Sequence, residues 1–409
     1  MIKRLSSLFG NRFLKVILLS GLLLQIGIWV RNFAVLLFVM EKTNGDPVAI
    51  SMISVAEYAP IFIFSLIGGT FADRWPPKRT MIWCDFLSAL SVFAVLITLI
   101  LASWKVVFFA TLFSAILSQF SQPSGMKLFK LHVPDEQMQM GMSIYQTIFA
   151  VFMILGPMLG TLVYQRLGIE VAIAVMGSAF LLSAGVLLFL PPDRKMELKD
   201  STSTLRQDIA NGLRYVWSKK ILKLLGACFT AVGLGLGLTQ PLGIFIVTER
   251  LGLPKEYLQW FLIVNGSGMI LGGILALAIS KKVAPPKMLA FGMLGTLMGL
   301  AAISWASVFW LTLLIQFLIG LVNPCINISI NTMIIQNTEA SFVGRVNGIL
   351  TPLFIGSMVV TMSIAGGLKQ LLTLGTMYQA SAILSFIGLL FIIPILRQPG
   401  QAGTEEYSG

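Results

Sequence analysis

Apolar residues occur in long runs along the chain, and each run is bounded by charged residues, glycine or proline. A helix needs about 20 mostly apolar residues to cross a bilayer. Runs of this kind predict spans near residues 16–39, 48–70, 80–102, 106–126, 141–164, 170–191, 223–247, 257–280, 288–304, 307–334, 345–366 and 373–396. The run 307–334 could alternatively end earlier, since Asn323, Asn327 and Asn331 give it a polar face. The pattern predicts an all-α integral membrane protein with twelve transmembrane helices.

The composition agrees with this prediction. Of 409 residues, 56% are hydrophobic and only 11% are charged, and so many apolar runs cannot all be buried in soluble domains of ordinary size. The N-terminal stretch MIKRLSSLFGNRFLK resembles the start of a signal peptide. The apolar run after it exceeds the roughly 7 to 15 residues of a signal-peptide core, and no small-residue cleavage site follows it. We therefore expect this stretch to be retained ahead of the first span.

The formal charge of +12 is distributed unevenly across the predicted membrane. Of the 29 lysines and arginines, 22 lie on the side that holds the N-terminus, six lie on the other side and Arg31 lies within a span. Cytoplasmic loops collect positive charge. We therefore expect both termini to be cytoplasmic, in a cell membrane such as the inner membrane of a bacterium. The basic charge is explained by the orientation of the chain in the lipid bilayer, which is its expected partner. It gives no support to nucleic-acid binding.

The longest polar stretch separates spans six and seven. Within it Leu205, Ile209, Leu213 and Val216 recur at helical spacing, which predicts an amphipathic helix at the inner membrane surface. A solvated linker is the alternative for the first ten residues of the stretch. We expect a six-helix bundle over 1–191, a cytoplasmic linker over 192–222, a second bundle over 223–397 and a cytoplasmic tail over 398–409.

The two halves of the chain repeat each other. The sequence SWKVVF at 103–108 recurs as SWASVF at 304–309, and the same offset of 201 residues aligns Pro123 with Pro324. A two-fold repeat of six helices is the architecture of carriers that rock two bundles around a site near the membrane midplane. The repeat therefore favours a transporter.

The sequence GGTFADRWPPKRTM joins spans two and three. It resembles the loop motif G-x-x-x-D-R-x-G-[RK]-[RK] of the major facilitator superfamily, with Pro76 where the second glycine is usual. The matching residues are Gly69, Asp73, Arg74, Lys78 and Arg79.

Two further resemblances lie elsewhere in the chain. GPMLG in span five, with Gly156, Pro157 and Gly160, is similar to the glycine-proline motif of antiporters in the same superfamily, and these residues would let span five pack closely. The segments EKTNGDPVAISMIS, VPDEQ and GRVNGI resemble the macrolide-efflux-like, drug-exporting branch. The resemblance covers nearly the whole chain.

The resemblance implies the major facilitator fold, in which two pseudosymmetric six-helix bundles expose a central site to each side in turn. In related carriers the motif acid caps the start of span eleven across the bundle interface, where a carboxylate gains about 0.3 to 1 kcal/mol from the helix dipole. Here Asp73 would contact the region of Arg345, while Arg74 or Arg79 would pair with Asp85. These contacts would form a latch that opens and closes in each cycle.

Two charges fall inside predicted spans. A charge near the bilayer centre costs roughly 2.5 to 3.5 kcal/mol or more, so each needs a reason. Arg31 and Glu57 flank the loop around Gly45 at equal distances in sequence, so they lie at similar depth. They would form either a structural ion pair or a pair that lines the cavity and responds to protons or substrate; a third alternative is that they point apart.

Uncharged polar residues inside the spans are further candidates for the transport pathway. The ones we select are Asn32, Gln146 and Asn265, for which hydrogen bonding between helices is the alternative role.

The sequence offers little for enzymatic or metal chemistry. His132 is the sole histidine, and Cys84, Cys228 and Cys325 lie in apolar runs without metal-ligand spacing. No phosphate-binding loop followed by Lys and Ser or Thr occurs. We therefore expect no cofactor, no metal and no enzymatic activity.

These observations together predict a secondary transporter. We expect a monomeric, proton-coupled antiporter that exports small amphipathic or hydrophobic compounds such as drugs and macrolide-like antibiotics. The alternatives are an exporter or flippase of an endogenous lipid or siderophore, and an uptake symporter.

Overall fold

The computed structural model describes residues 12–98, 104–133, 135–191, 205–280, 282–339 and 342–396, and within these ranges the side chains at 12, 65–74, 97–98, 135–137, 139, 205–206 and 208 are not described. All regular structure in the described residues is helical. The helices are α1 Arg12–Lys42, α2 Pro47–Arg74, α3 Pro77–Thr98, α4 Trp104–His132, α5 Asp135–Leu188, α6 Leu205–Ser218, α7 Lys220–Thr239, α8 Leu258–Ser280, α9 Pro285–Ile303, α10 Phe309–Gln336, α11 Val343–Leu371 and α12 Leu374–Leu396. Short 3-10, α and π turns extend α7 to Arg250.

The helix α5 contains two of the predicted spans. Its backbone leaves the helical region at Gly168, where φ is 80° and ψ is 177°, values that a residue with a side chain rarely adopts. The break divides α5 into a first arm, 135–167, and a second arm, 169–188. Eleven helices in the described residues are long and apolar enough to cross a membrane, and the break makes twelve spans, which confirms the predicted fold class. The tenth span does not end early, since α10 continues to Gln336.

The helices pack in two halves. In the first half α1 packs along α5, and α4 packs against α2 and α3; in the second half α7 packs against α11 and α12, and α10 packs against α8 and α9. Contacts between the halves are made mainly by α2 with α11 and by α8 with α5. The repeated prolines Pro123 and Pro324 lie inside the equivalent helices α4 and α10.

The buried apolar clusters differ between the two ends of the molecule. At the end that carries the loop 43–46, here the first-loop end, one cluster includes Phe38 and Ile50 of the first half and Phe245 and Tyr378 of the second. At the opposite end, here the linker end, the clusters are separate: one contains Phe129 from the first half and another contains Leu222 from the second. The halves therefore share a core at the first-loop end alone among these described clusters.

The linker helix α6 packs on the second half. Val216 is buried, and the Cα of Gly212 lies so close to α11 that a Cβ atom there would be 3.2 Å from Arg345. Tyr215 stacks on Phe342 with ring centroids 4.3 Å apart. Leu213, which the sequence groups with Val216 on one apolar face, is instead exposed. The face that packs is centred on Gly212 and Val216 because the small glycine allows close approach to α11.

Candidate functional site

A chain of hydrogen bonds crosses the first half and connects both of its membrane-embedded charges. Asn32 Nδ2 donates to Glu57 Oε1 over 2.6 Å, and Arg31 Nε donates to Asn32 Oδ1 over 3.0 Å. Arg31 Nη1 also donates to Ser114 Oγ over 3.1 Å. The chain joins α1, α2 and α4, so it ties together three helices of one half.

Asn32 mediates the interaction between the two charges. Arg31 and Glu57 form no ion pair within 4 Å among the described side chains, so the direct pair expected from their matched depth is replaced by a bridge. An asparagine amide offers an oxygen that accepts and a nitrogen that donates, and it can therefore serve a guanidinium and a carboxylate at once. Arg31 is buried, at 6% exposure, which makes these hydrogen bonds important for its presence in the membrane.

The hydrogen-bonded chain lies close to the second half. Tyr58, next to Glu57 on α2, accepts a hydrogen bond from Gln240 Nε2 over 3.3 Å. One turn further along α2, toward the linker end, Phe62 packs against Gly356 of α11. A Cβ atom added at Gly356 would come within 2.6 Å of the Phe62 ring. A change at Glu57 can therefore reach the interface between the halves through α2.

The helix α10 carries amide side chains on one face, opposite its exposed leucines. The apolar, exposed face of α10 carries Leu311, Leu314 and Leu318. Its flanks contact α8 through Phe317 and Leu321 and α9 through Val322 and Ile326. With 3.6 residues per turn, the remaining face carries Gln316, Asn323 and Asn327. Asn327 Nδ2 donates to Asn323 Oδ1 over 2.7 Å, and Asn327 is exposed.

The other two predicted polar residues have different surroundings. Asn265 Nδ2 donates to the carbonyl of Gln316 over 3.0 Å, and the backbone of Asn265 lies against Gly320. Asn265 therefore connects α8 to α10, the alternative role considered for such residues. Gln146 is exposed on the first arm of α5, and the structure brings it into none of the hydrogen bonds described above.

The residues of GPMLG lie where α5 crosses α1. A Cβ atom at Gly156 would overlap the ring of Trp29, and one at Gly160 would lie within 3 Å of the carbonyl of Trp29 and of the Phe33 side chain. Pro157 is buried beside them. The two glycines allow close approach of the helices on either side of Arg31 and Asn32.

The loop motif after α2 is described in part. The side chains of Gly69, Asp73 and Arg74 lie outside the described residues, so the contact of Asp73 with the start of α11 remains a prediction. Lys78 donates to the carbonyls of Leu188 and Leu190, at the end of α5 in its own half. Arg345, the expected region of contact, lies against the ring of Phe342 at 5.2 Å.

Asp85 has hydroxyl partners in place of the predicted arginine. It is 3% exposed and accepts hydrogen bonds from Ser183 Oγ over 2.7 Å and from Ser121 Oγ over 3.4 Å. Ser183 Oγ in turn lies 2.8 Å from Ser20 Oγ. Arg79 is exposed and is not among the described partners of Asp85, so the predicted pairing with Arg74 or Arg79 remains a prediction for Arg74. The pairing with Arg74 lies outside the described side chains.

The first-loop end carries polar contacts that the sequence did not reveal. Lys255 Nζ lies 2.6 Å from Glu41 Oε2, and Tyr164 Oη donates to the same oxygen over 2.9 Å. Gln370 Nε2 donates over 3.2 Å to Asp46, which also caps the start of α2. Glu41 and Asp46 belong to the segment EKTNGDPVAISMIS, but nothing in the sequence indicates that their partners are Lys255, Tyr164 and Gln370.

Twelve spans in two halves, with embedded charges beside the interface between them, define a membrane transporter built from two helical bundles. The profile of the Major Facilitator Superfamily matches residues 17–351 and, in a second match, residues 225–406. The chain therefore belongs to the major facilitator superfamily. It is a multi-pass membrane transporter and not an enzyme.

Its relatives include efflux pumps. The multidrug efflux pump Tap of Mycolicibacterium fortuitum is 25% identical over 375 residues, which cover 87% of this chain and 89% of the pump. Macrolide efflux protein A of Streptococcus pyogenes is 24% identical over 255 residues, 60% of this chain and 61% of that protein.

A solved structure supports the fold independently. A bacterial homologue of the iron transporter ferroportin, in its inward-facing state, superposes with a TM-score of 0.73 at 13% identity and covers 94% of this chain and 98% of its own. At this identity the similarity establishes the fold alone.

Proposed function

We propose that this protein is a proton-coupled antiporter that exports small amphipathic or hydrophobic compounds, drugs and macrolide-like antibiotics among them, from a bacterial cell across its inner membrane. The observation that carries the proposal is the chain Glu57–Asn32–Arg31–Ser114. In this chain Glu57, which can take up a proton, is connected through Asn32 to the buried cation Arg31.

The coupling follows from the chemistry of this chain. When a proton binds a Glu57 oxygen, the carboxylate loses its charge, and its hydrogen bond from Asn32 loses the contribution that ionisation gives it. Arg31 then has less compensation for its own burial, and its uncompensated positive charge disfavours an amphipathic or hydrophobic compound beside it. Substrate binding and proton binding would thereby oppose each other, as antiport requires.

The surroundings suit an amphipathic substrate. An aromatic side chain lies near the chain of hydrogen bonds, since the exposed Phe62 is one turn beyond Tyr58 on α2. The amide face of α10, which contacts neither α8 nor α9, offers hydrogen-bond donors and acceptors. The names of the related efflux pumps support export of drugs as the direction and substrate class.

The conformation supports alternating access. The shared core and the contacts of Glu41 and Asp46 close the first-loop end, while the clusters at the linker end are separate. With cytoplasmic termini, we infer that the first-loop end is the outer gate of the export cycle and that it is closed in this conformation.

Transport into proteoliposomes tests the proposal. Vesicles loaded with amphipathic dyes and antibiotics receive a pH gradient, and wild type is compared with Glu57→Gln. We expect gradient-driven transport to be lost in the variant, while exchange of substrate without a gradient persists. The matched control is Glu170→Gln, which removes an exposed acid at the start of the second arm of α5 and should transport as wild type.

Four results would contradict parts of the proposal. Full gradient-driven transport in Glu57→Gln removes Glu57 as the coupling acid, and transport by wild type that ignores the gradient removes antiport. Accumulation of substrate together with protons indicates a symporter. Transport of a single lipid or siderophore and of no drug indicates a dedicated exporter.

A further inference from the structure

Two buried hydroxyls near the first-loop end have no hydrogen-bond partner among the described residues. They belong to Ser51 of α2, which is 0% exposed, and to Thr161 of α5, which is 1% exposed. A serine inside a helix can donate to the carbonyl four residues earlier, as Ser267 does to Ile263 over 2.8 Å. Buried hydroxyls are nearly always paired, because an unpaired one has lost its water without compensation.

Ser51 faces the second half. Four residues before it, the carbonyl of Pro47 lies against Gly366 of α11, where an added Cβ atom would overlap it. Seven residues after it, Tyr58 accepts a hydrogen bond from Gln240. With 3.6 residues per turn, positions 47, 51 and 58 share one face of α2. The carbonyl that a helical serine would ordinarily use therefore already contacts α11, and the hydroxyl lies in the interface between the halves.

Thr161 faces the second half on another helix. A Cβ atom added at Gly266 of α8 would lie 3.5 Å from Ile154 Cγ1 of α5, and Thr161 follows Ile154 by seven residues, close to two full turns, so both lie on one face. Further along α5, the ring of Tyr164 lies 5.4 Å from Lys255 Nζ, just before α8. The two hydroxyls thus belong to the two helix pairs that connect the halves, α2 with α11 and α5 with α8.

Both hydroxyls favour opening of the first-loop end. When α2 separates from α11 and α5 separates from α8, water can reach each hydroxyl, whereas closure removes that water and supplies no acceptor. The shared apolar core and the pair of Lys255 with Glu41 act in the opposite direction and favour closure. A large preference for the closed state would make the open state too rare for a transport cycle.

We propose that Ser51 and Thr161 form a conformational device that limits the stability of the closed first-loop end. Their unpaired hydroxyls oppose the core that closes this end, and they keep the open state accessible. The device acts through hydration alone and needs neither substrate nor protons. It would therefore remain valid if the proposed antiport were wrong.

Spin-label distances in detergent, without substrate or pH gradient, test the proposal. Labels at Lys42 and Leu371, in a chain without the three cysteines, report the ratio of closed to open first-loop ends. The Lys255→Gln background raises the open fraction so that both states are visible. We expect Ser51→Ala and Thr161→Val each to raise the ratio about fivefold or more, since each removes a hydroxyl that closure leaves unpaired. The double variant should show roughly the product of the two factors, because the sites lie on separate helix pairs.

Ser329→Ala is the matched control. The Ser329 hydroxyl is also 0% exposed and without a partner among the described residues, but α10 packs against α8 and α9 of its own half. All three single variants should raise the Tm, because each removes an unpaired buried hydroxyl from the folded protein. Ser329→Ala should leave the ratio of closed to open ends unchanged.

Two results would overturn the proposal. A Tm that stays the same or falls in both Ser51→Ala and Thr161→Val would show that the hydroxyls have a partner, such as an ordered water, in the closed state. A higher Tm with an unchanged ratio of closed to open ends, or a shift in Ser329→Ala as large as in the other two variants, would show that the hydroxyls do not act on closure.

Discussion

Lys255, just before α8, and Glu41, at the end of α1, join the two halves at the first-loop end with 2.6 Å between Nζ and Oε2. The two residues belong to different halves, so this contact must break when the first-loop end opens. The side chain of Lys255 is 18% exposed and that of Glu41 is 61% exposed. The pair therefore biases the conformational equilibrium without locking it.

Lys255→Gln should shift the population toward the state that is open at the first-loop end. An exposed ion pair contributes about 0.2 to 1 kcal/mol, which corresponds to a change of up to roughly fivefold in the ratio of the two states. Distances between spin labels at Lys42 and Leu371, in a background without the three cysteines, report this ratio. The control is Lys369→Gln, because Lys369 pairs with Glu249 at the same distance and the same end but within the second half. Equal shifts in both variants would show that the pair across the halves has no special role.

Gly366→Ala should oppose closure of the first-loop end. A Cβ atom at Gly366 of α11 would lie 2.6 Å from the Cα of Val48 and would overlap the carbonyl of Pro47, both on α2. Backbone atoms cannot move aside as a flexible side chain does, so the halves must separate at this point, at a cost of about 1 to 3 kcal/mol. The neighbouring substitution Gly367→Ala meets no atom within 4 Å and serves as the control. The same spin labels should show a longer distance for the first variant alone.

Gly156→Ala should weaken the first half without acting on the second. The added methyl group would overlap Trp29 of α1, and overpacking of this kind typically costs about 1 to 3 kcal/mol. Thermal unfolding in detergent should show a lower Tm, whereas Gly185→Ala, where a methyl group meets open space, should leave the Tm unchanged or raise it. An unchanged Tm in Gly156→Ala would mean that α1 and α5 can move apart at this crossing without cost.

The order of the spans was predictable from sequence, whereas the contacts between them were not. Long apolar runs fix where helices cross the bilayer, and the glycine of the segment RLGIE permits the break that separates the two arms of α5. The pairing of Glu41 with Lys255 joins residues 214 positions apart. It depends on how the halves lie against each other in one conformation, and nothing in the local sequence specifies that.

The candidate site shows the same division. Matched depth brings Arg31 and Glu57 to the same region, but the bridge through Asn32 depends on side-chain rotamers that sequence spacing does not determine. Asp85 was predicted to pair with an arginine because the family motif supplies several. Its serine partners come from α4 and α5, and Ser121 and Ser183 carry no pattern that marks them as partners of an acid.

Asp85→Asn should leave folding and transport close to wild type. An asparagine keeps an oxygen that can accept from Ser183, and it removes a charge that has no cation partner among the described side chains. Asp85→Ala leaves both serine hydroxyls without this acceptor, and each buried hydroxyl that loses its partner costs about 1 to 3 kcal/mol. Thermal unfolding of both variants distinguishes the roles. A loss of transport in Asp85→Asn with unchanged Tm would instead show that the charge itself takes part in the cycle.

Asn32→Ala should uncouple transport from the proton gradient. The substitution removes the acceptor of Arg31 Nε and the donor of Glu57 Oε1 together, so protonation of the acid no longer changes the hydrogen bonding of the cation. We expect gradient-driven transport in proteoliposomes to fall about tenfold or more, while gradient-free exchange of substrate falls much less. The matched control is Ser114→Ala, which also takes one hydrogen bond from Arg31 but leaves the link to Glu57 intact and should stay within about twofold of wild type.

The comparison of these two variants decides whether the bridge carries coupling or only supports Arg31. If both lost gradient-driven transport equally, any hydrogen bond to the guanidinium would matter, and Asn32 would be no more than one of its supports. If Asn32→Ala alone lost it, and Asn32→Gln restored part of it by offering the same amide on a longer side chain, the amide bridge would be the element that transmits protonation. Coupling would then depend on a neutral residue between two charges, because the bridge alone connects the proton-binding oxygen to the cation.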